Sequence, residues 1–338
     1  MQIKFSSILV VITCIFLVSG CKPDFFSQNT GQTDRADTTG REPETPEDTL
    51  TTGTAGLDSL WRRYGYDSNW VSMPEALPAS VLPYHRIVAF YGNLYSKRMG
   101  ILGELPPDDM IARLQQEIRR WRDADPLTPV RPALHVIVTT AQRAPGRDRM
   151  YRLRMSKSMV HRVKSIADSI DALTFLDLQV GHSDLQREIP PWDSLLSLPD
   201  VHLAVDAEFA MYNKKVPGTV MGRFDAADIN FAIDYLEEKV KKYGLPPKIL
   251  IVHRFKQSMI SNASQIRQTP YVQVVMHMDG WGAKELKFHS YRAYIEKEPV
   301  QYTGFKIFYK NDTKSGKKLL TPEEILTLHP KPLYIQYQ

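Results

Sequence analysis

Cysteine is almost absent from this chain of 338 residues. Cys14 and Cys21 are the two present, and both lie within the first 21 residues. The sequence beyond them therefore excludes disulfides, cysteine nucleophiles and thiolate metal sites. A chain of this length can be stabilised by a hydrophobic core alone, so the lack of cysteine is compatible with a globular fold.

Long runs of one charge are also lacking. The formal net charge is +5, and the basic residues are dispersed along the chain. Nucleic-acid-binding surfaces concentrate Lys and Arg on one face or along one helix, so a nucleic-acid partner is not expected. The dispersed charges favour an ordinary solvated surface.

An apolar run at residues 8–18 follows Lys4 and precedes small residues. This arrangement is typical of a secretory signal, and the run is too short for a comfortable membrane span. Its ending, VSGC, resembles the bacterial lipobox. That resemblance implies cleavage before Cys21 and attachment of a diacylglycerol to its sulfur; the alternative is an ordinary secretory peptide with an incidental cysteine.

The composition predicts the domain organisation. Residues 22–56 are rich in Thr, Asp, Glu, Gly and Pro and contain few aliphatic residues, which is typical of a disordered tether. We therefore predict a signal peptide at 1–21, a linker at 22–56, an extension at 57–84 that packs on the main domain, and a main domain at 85–338. The expected location is the bacterial cell envelope, with Cys21 anchored in a membrane, either the outer membrane or the cell surface in a Gram-negative organism. A monomer is expected.

Short apolar runs alternate with helical patterns after residue 85. Predicted strands cover 86–91, 134–140, 173–178, 202–209, 248–255, 272–278, 305–309 and 332–337. Predicted helices cover 107–124, 149–170, 192–198, 226–243, 257–267, 284–298 and 322–328. This α/β alternation predicts a (β/α)8 TIM barrel. A doubly wound open sheet is the alternative fold, but the sequence lacks the Gly-rich nucleotide-binding loop that is typical of it. We expect no cofactor and no bound metal.

Polar residues gather where the predicted strands end. In the stretch VDAEF, Asp206 and Glu208 are two residues apart and therefore project from one face of a strand. Two carboxylates on an apolar strand are costly unless something uses them. TIM barrels build their active sites at the C-terminal ends of the strands, so we expect these acids to lie in an active site.

The Asp-x-Glu motif at the end of the fourth predicted strand resembles that of glycoside hydrolase families 18 and 25. The resemblance implies that Glu208 is the general acid and that Asp206 orients or stabilises a charged intermediate. The two further aspartates of the family 18 pattern are missing, since Val201 and Ala204 occupy their places. The barrel region is also similar to a group of bacterial secreted or lipoprotein barrels of unnamed activity.

The expected substrate is a cell-envelope or environmental polysaccharide. Like charge and partial burial are expected to raise the pKa of Glu208, while Asp206 or Asp177 stabilises the transition state or activates water. The predicted stacking residues are Tyr91, Trp281 and Tyr309. The predicted hydroxyl-binding residues are Gln179, His253, Arg254, His277 and Asp279.

Two alternatives remain open. A metal-dependent hydrolase would draw its ligands from His182, His253, His277, Asp177, Asp206, Glu208 and Asp279, although no close ligand spacing supports it. A surface lipoprotein could instead bind a glycan or another partner without cleaving it. The seventh strand favours that reading, because it offers no carboxylate where a retaining glycosidase keeps its nucleophile.

Overall fold

The computed structural model describes residues 54–66 and 70–338. In this part of the chain eight parallel strands close into a barrel, since each strand pairs with the next and the last pairs with the first. The strands are β1 (Arg86–Gly92), β2 (Val130–Ala141), β3 (Leu173–Leu178), β4 (Val201–Asp206), β5 (Lys248–His253), β6 (Val272–Met278), β7 (Tyr302–Ile307) and β8 (Tyr334–Tyr337). The predicted (β/α)8 TIM barrel is confirmed.

Helices connect the strands on the outside of the barrel. The α-helices are α1 (Thr54–Tyr64), α2 (Ile101–Glu104), α3 (Pro107–Ala124), α4 (Lys157–Asp168), α5 (Leu185–Glu188), α6 (Asp193–Leu196), α7 (Ala226–Tyr243), α8 (Lys284–Tyr291) and α9 (Pro322–Ile325). A π-helical turn, Arg292–Glu296, continues α8. Across the described ranges, no helix combines the length and apolar character that crossing a membrane requires.

Alternation along the strands separates two apolar layers. In β1, Ile87 and Ala89 pack inside the barrel, whereas Val88 and Phe90 face the surrounding helices. Both sets are fully buried because helices cover the outer face of a parallel barrel. The inner positions that continue toward the C-terminal strand ends are polar, and they form the site described below.

The strongest local signals set the ends of α7. Asp225 caps the helix, and a capping box pairs it with Asp228. Gly244 ends the helix in the left-handed conformation at φ 61°, which glycine adopts without strain. The resulting bounds, Ala226–Tyr243, are those of the predicted helix at 226–243.

Several predicted boundaries are wrong. The predicted strand at 305–309 is Tyr302–Ile307, and the fourth strand ends at Asp206 rather than at residue 209. The predicted helix at 257–267 is replaced by two short 3-10 turns around Ile260–Ser261, which pairs with Phe224–Asp225. The predicted helix at 149–170 begins only at α4, after a short strand at Arg152–Arg154 that pairs with β2. Long-range strand pairing overrides the local helical pattern in both places.

The N-terminal end of the barrel is closed by the segment that precedes β1. The Tyr66 hydroxyl lies 3.0 Å from Thr303 Oγ1, and the Trp70 indole nitrogen donates to the Gln301 carbonyl at 2.8 Å. The segment therefore occupies the end opposite the C-terminal strand ends. The predicted signal peptide and residues 22–53 of the predicted linker lie outside the described residues, and α1 already begins at Thr54.

Candidate active site

A cleft of about 350 Å³ opens at the C-terminal end of the barrel. Its polar lining includes side chains from five strand ends: Tyr91, Gln179, Asp206, Glu208, Asp279 and Lys306. Its aromatic lining includes Phe209, Phe255, Trp281 and Phe308. The Trp281 side chain is 56% exposed and forms part of the rim. A polar floor with aromatic walls can bind a hydroxylated ligand.

Glu208 reaches the cleft through a turn rather than along a strand. Strand β4 ends at Asp206, and the 3-10 turn Ala207–Phe209 follows. The Asp206 carboxylate caps this turn by accepting a hydrogen bond from the Glu208 backbone nitrogen at 3.0 Å. The prediction that both acids share one strand face is therefore wrong in its geometry, although both line the cleft.

Both cleft acids hold their protons more firmly than exposed carboxyl groups do. Burial and the nearby Asp279 raise the pKa of Glu208 to about 6, against the opposing charge of Lys306. Burial also raises the pKa of Asp206 well above its usual range; His253 opposes this, and the neighbouring acids reinforce it. Near neutral pH, Glu208 can therefore both release and take up a proton.

Asp177 lies beneath the cleft. It is fully buried at the end of β3, and the Tyr91 hydroxyl donates to its Oδ2 at 3.0 Å. Burial raises its pKa, but the charges and donors of His253 and His135 outweigh this and lower the pKa to about 2. The structure therefore separates Asp177 from the cleft lining and gives it an ionised carboxylate.

Hydrogen bonds link this buried acid to the cleft acids. Gln179 donates to Asp206 Oδ2 at 3.3 Å and to the Tyr91 hydroxyl at 3.4 Å. His253 Nδ1 lies 3.0 Å from Asp279 Oδ2. These contacts fix the side chains at the strand ends, as preorganised catalytic or binding groups require.

Asp177 and His253 are buried side by side beneath the cleft, and three further predicted site residues lie away from its lining. Arg254 points outward and binds Glu298 at 2.5 Å, while Tyr309 donates to Glu117 at 2.9 Å beside α3. Side chains alternate between the inside and the outside of the barrel along each strand, and both residues fall at outward-facing positions. His277 lies deeper in the barrel, with its ring 5.1 Å from that of His253. The structure does not bring these three side chains to the cleft lining.

Two residues of the site were missed in the sequence. Lys306 is buried, and its Nζ lies 3.8 Å from the centre of the Tyr91 ring. His135 lies in β2 with its ring 5.1 Å from that of Tyr91. Alternation could have indicated both, since each is a polar residue between apolar neighbours that face the helices. The same alternation places Tyr309 on the outer face.

Among the described residues, His135, Asp177 and His253 form a group that could hold a metal ion. One donor atom from each lies within 4.8 Å of the others. This group differs from the ligand set considered from the sequence, because it includes His135 and lacks His182. The His182 ring instead contacts the Lys215 carbonyl and stacks on Tyr151.

No family model matches the chain. No curated protein matches it in sequence either. The chain has distant structural similarity to a GH5-4 broad-specificity endoglucanase from Clostridium longisporum, with 12% identity, a TM-score of 0.37 and coverage of 66% of this chain and 75% of that one.

A second solved structure with distant similarity is a GH26-CBM35 β-(1,4)-mannanase from Podospora anserina. The identity is 10% and the TM-score 0.35, with coverage of 79% of this chain and 64% of that one. The barrel assignment rests on the strand pairing within this chain.

Proposed function

We propose that the protein is a glycoside-hydrolase-like enzyme that cleaves a polysaccharide, with Glu208 as the proton donor. The observation that carries the proposal is the position of Glu208 in an aromatic-walled cleft, with a pKa raised to about 6 by burial and Asp279. A carboxyl group with such a pKa is protonated often enough near neutral pH to act as a general acid.

The proposed reaction begins at the glycosidic oxygen. Glu208 transfers its proton to that oxygen as the bond to the anomeric carbon breaks, and the ionised Glu208 remains. Water adds to the anomeric carbon and gives up a proton to a carboxylate. Asp279 is suited to accept it, since its Oδ1 has no hydrogen-bond partner among the described residues while its Oδ2 contacts His253.

Binding without cleavage is the second candidate function. Lys306 occupies the inner end of β7, where a retaining glycosidase would carry its nucleophilic carboxylate. An ammonium group there can bind sugar hydroxyls or an acidic sugar but cannot attack the anomeric carbon. This observation favours either a mechanism without a β7 nucleophile or a protein that only holds its ligand.

Hydrolysis by the purified full-length chain tests the proposal. The panel includes peptidoglycan and chitin fragments, and release of reducing ends is measured. Glu208→Gln should lower kcat by about 10²–10⁴-fold with little change in binding, because the amide cannot donate the proton. In the wild type, kcat should fall as pH rises through about 6, where Glu208 loses its proton.

Glu238→Gln, at an exposed position on α7, is the matched control and should retain full activity. Turnover that persists in Glu208→Gln contradicts the assignment of the acid. Binding of a glycan by both proteins without turnover by either contradicts the enzyme proposal and supports the second candidate.

We further propose that Cys21 anchors the protein to a membrane of the bacterial cell envelope. The support is the VSGC sequence after an apolar run; Cys21 lies outside the described residues. Export to the envelope would bring the cleft to polysaccharides of the wall or the surroundings.

Metabolic labelling with a fatty acid tests the anchor. Cys21→Ser should abolish both the label and retention in the membrane fraction, whereas Cys14→Ser should keep both because that residue leaves with the signal peptide. An unchanged label in Cys21→Ser would show that the lipid is attached elsewhere.

A further inference from the structure

Three buried side chains meet at one point beneath the cleft. His135, Asp177 and His253 come from β2, β3 and β5, and all three are fully buried. His135 Nε2 lies 3.7 Å from Asp177 Oδ2, and His253 Nε2 lies 3.7 Å from Asp177 Oδ1. These separations are too long for hydrogen bonds, but they suit donor atoms arranged around a shared cation.

The atoms that face this point lack hydrogen-bond partners. His135 Nε2, His253 Nε2 and Asp177 Oδ1 are all buried and unpaired within the described residues. Nearly all buried polar side-chain atoms in native proteins have a partner, and unpaired ones indicate a bound water or ion. Three such atoms from three strands converge here, and this is stronger evidence for a bound ion than a single unpaired atom would be.

The far side of each imidazole is held by a second group. His253 Nδ1 lies 3.0 Å from Asp279 Oδ2. If Nδ1 carries the proton and donates a hydrogen bond to that carboxylate, the lone pair of Nε2 is directed at the shared point. His135 Nδ1 lies 2.6 Å from the Tyr334 hydroxyl oxygen, which can accept a hydrogen bond from a protonated Nδ1 in the same way. Carboxylate or hydroxyl partners of this kind orient metal-binding histidines.

Gln336 can complete the arrangement around His135. Its amide nitrogen lies 3.0 Å from His135 Nδ1 and 3.1 Å from the Tyr334 hydroxyl, while its Oε1 is without a partner in the described chain. If His135 Nδ1 carries a proton, rotation of the Gln336 side-chain amide by half a turn would let Oε1 accept a hydrogen bond from Nδ1. In that orientation His135 Nε2 keeps its lone pair for a cation.

We propose that His135, Asp177 and His253 bind one divalent transition-metal ion, with zinc as the first candidate. Two imidazole nitrogens and a carboxylate are ligands that zinc and iron(II) accept, whereas magnesium and calcium prefer oxygen ligands. Tyr91 connects the site to the cleft, because its hydroxyl donates to Asp177 and its side chain lines the cleft. The proposal does not depend on glycoside cleavage.

Cobalt(II) titration of the chelator-treated full-length chain tests the site without any activity assay. We expect one Co²⁺ per chain, visible absorption bands typical of nitrogen and oxygen ligation, and displacement of Co²⁺ by Zn²⁺. Zinc should also raise the melting temperature, since an ion that binds only the folded state stabilises it. A wild-type chain that binds neither ion, or binds them without saturation, overturns the proposal.

Variants locate the bound ion. Asp177→Asn and His253→Gln should each abolish the bands, and Asp279→Asn should weaken Co²⁺ binding by about 10–100-fold because it removes the group that orients His253. His202→Gln changes another buried histidine and should bind as the wild type does. If a ligand variant fails to fold by circular dichroism, Asp279→Asn provides the test. Unchanged binding in Asp279→Asn and in every folded ligand variant overturns the assignment.

Discussion

Compensating charges make the buried ionisable residues of the barrel tolerable. Lys306 is nearly inaccessible to solvent, and its Nζ contacts the face of Tyr91. Burial lowers its pKa, and the acids Asp279 and Asp206 oppose that change without cancelling it. Removal of one member of such a group leaves its partners buried and uncompensated, so single substitutions here affect more than one side chain.

Glu208 should destabilise the folded protein once it ionises. Its pKa rises from the usual 4.5 to about 6 on folding, so the stability associated with its protonated form is present below pH 4.5 and lost as pH rises through about 6. Glu208→Gln should therefore increase the free energy of unfolding at pH 8 by about 1 kcal/mol, a value reduced for partial exposure. Urea unfolding at pH 8 and pH 4 measures this. A variant that is less stable than the wild type at pH 8 contradicts the prediction.

The turn after β4 depends on a glycine in the following loop. The Gly222 nitrogen donates to the Glu208 carbonyl at 2.8 Å, and a Cβ at Gly222 would lie 2.5 Å from that oxygen and from the Ala207 carbonyl oxygen. The loop backbone can therefore pack against the turn only without a side chain at this position. This contact helps to hold Glu208 at the cleft rather than along a continued strand.

Buried ion pairs between Glu188 and two arginines connect α5 to the short strand Arg152–Arg154. Glu188 is fully buried and accepts from Arg152 Nε and Arg154 Nε, each at 2.7 Å, and from Ser183 Oγ at 2.6 Å. Glu188→Gln should lower the free energy of unfolding by about 3 kcal/mol, because the two guanidinium groups lose their shared anion. Chemical denaturation measures the change. Glu238→Gln should differ from the wild type by less than about 0.5 kcal/mol, and an equal effect in both variants would refute the role of the ion pair.

The barrel is closed at one end and open at the other. The segment before β1 covers the N-terminal end, where Leu82 exchanges two backbone hydrogen bonds with the Gln273 side chain. The cleft occupies the opposite end. The packing that closes the barrel and the cleft therefore lie at different ends of the molecule.

Tyr66 tests this separation. The residue is buried at the closed end, its hydroxyl pairs with Thr303, and its ring lies 5.9 Å from that of Tyr302. Tyr66→Ala should lower the free energy of unfolding by about 3–5 kcal/mol, whereas Tyr66→Phe should cost about 1 kcal/mol. Ligand binding per folded molecule should stay unchanged. Thermal unfolding and glycan binding measure the two effects, and a loss of binding in folded Tyr66→Phe would contradict the separation.

Local patterns were sufficient for the order of the elements and for part of the site. Strand alternation and helix caps depend on neighbouring residues, so the eight strands and the ends of α7 could be predicted. The same alternation placed Asp206 on the inner face. It could not place Glu208, because the 3-10 turn depends on Gly222, which lies 14 residues further along the chain.

The sequence by itself determined the barrel and the presence of acids at its rim, since both follow from periodicities of two and 3.6 residues that are read locally. The tertiary structure alone decided which polar residues meet. His135, Asp177 and His253 are separated by 42 and 76 residues, and they converge because barrel closure and strand stagger bring three inner positions to one level.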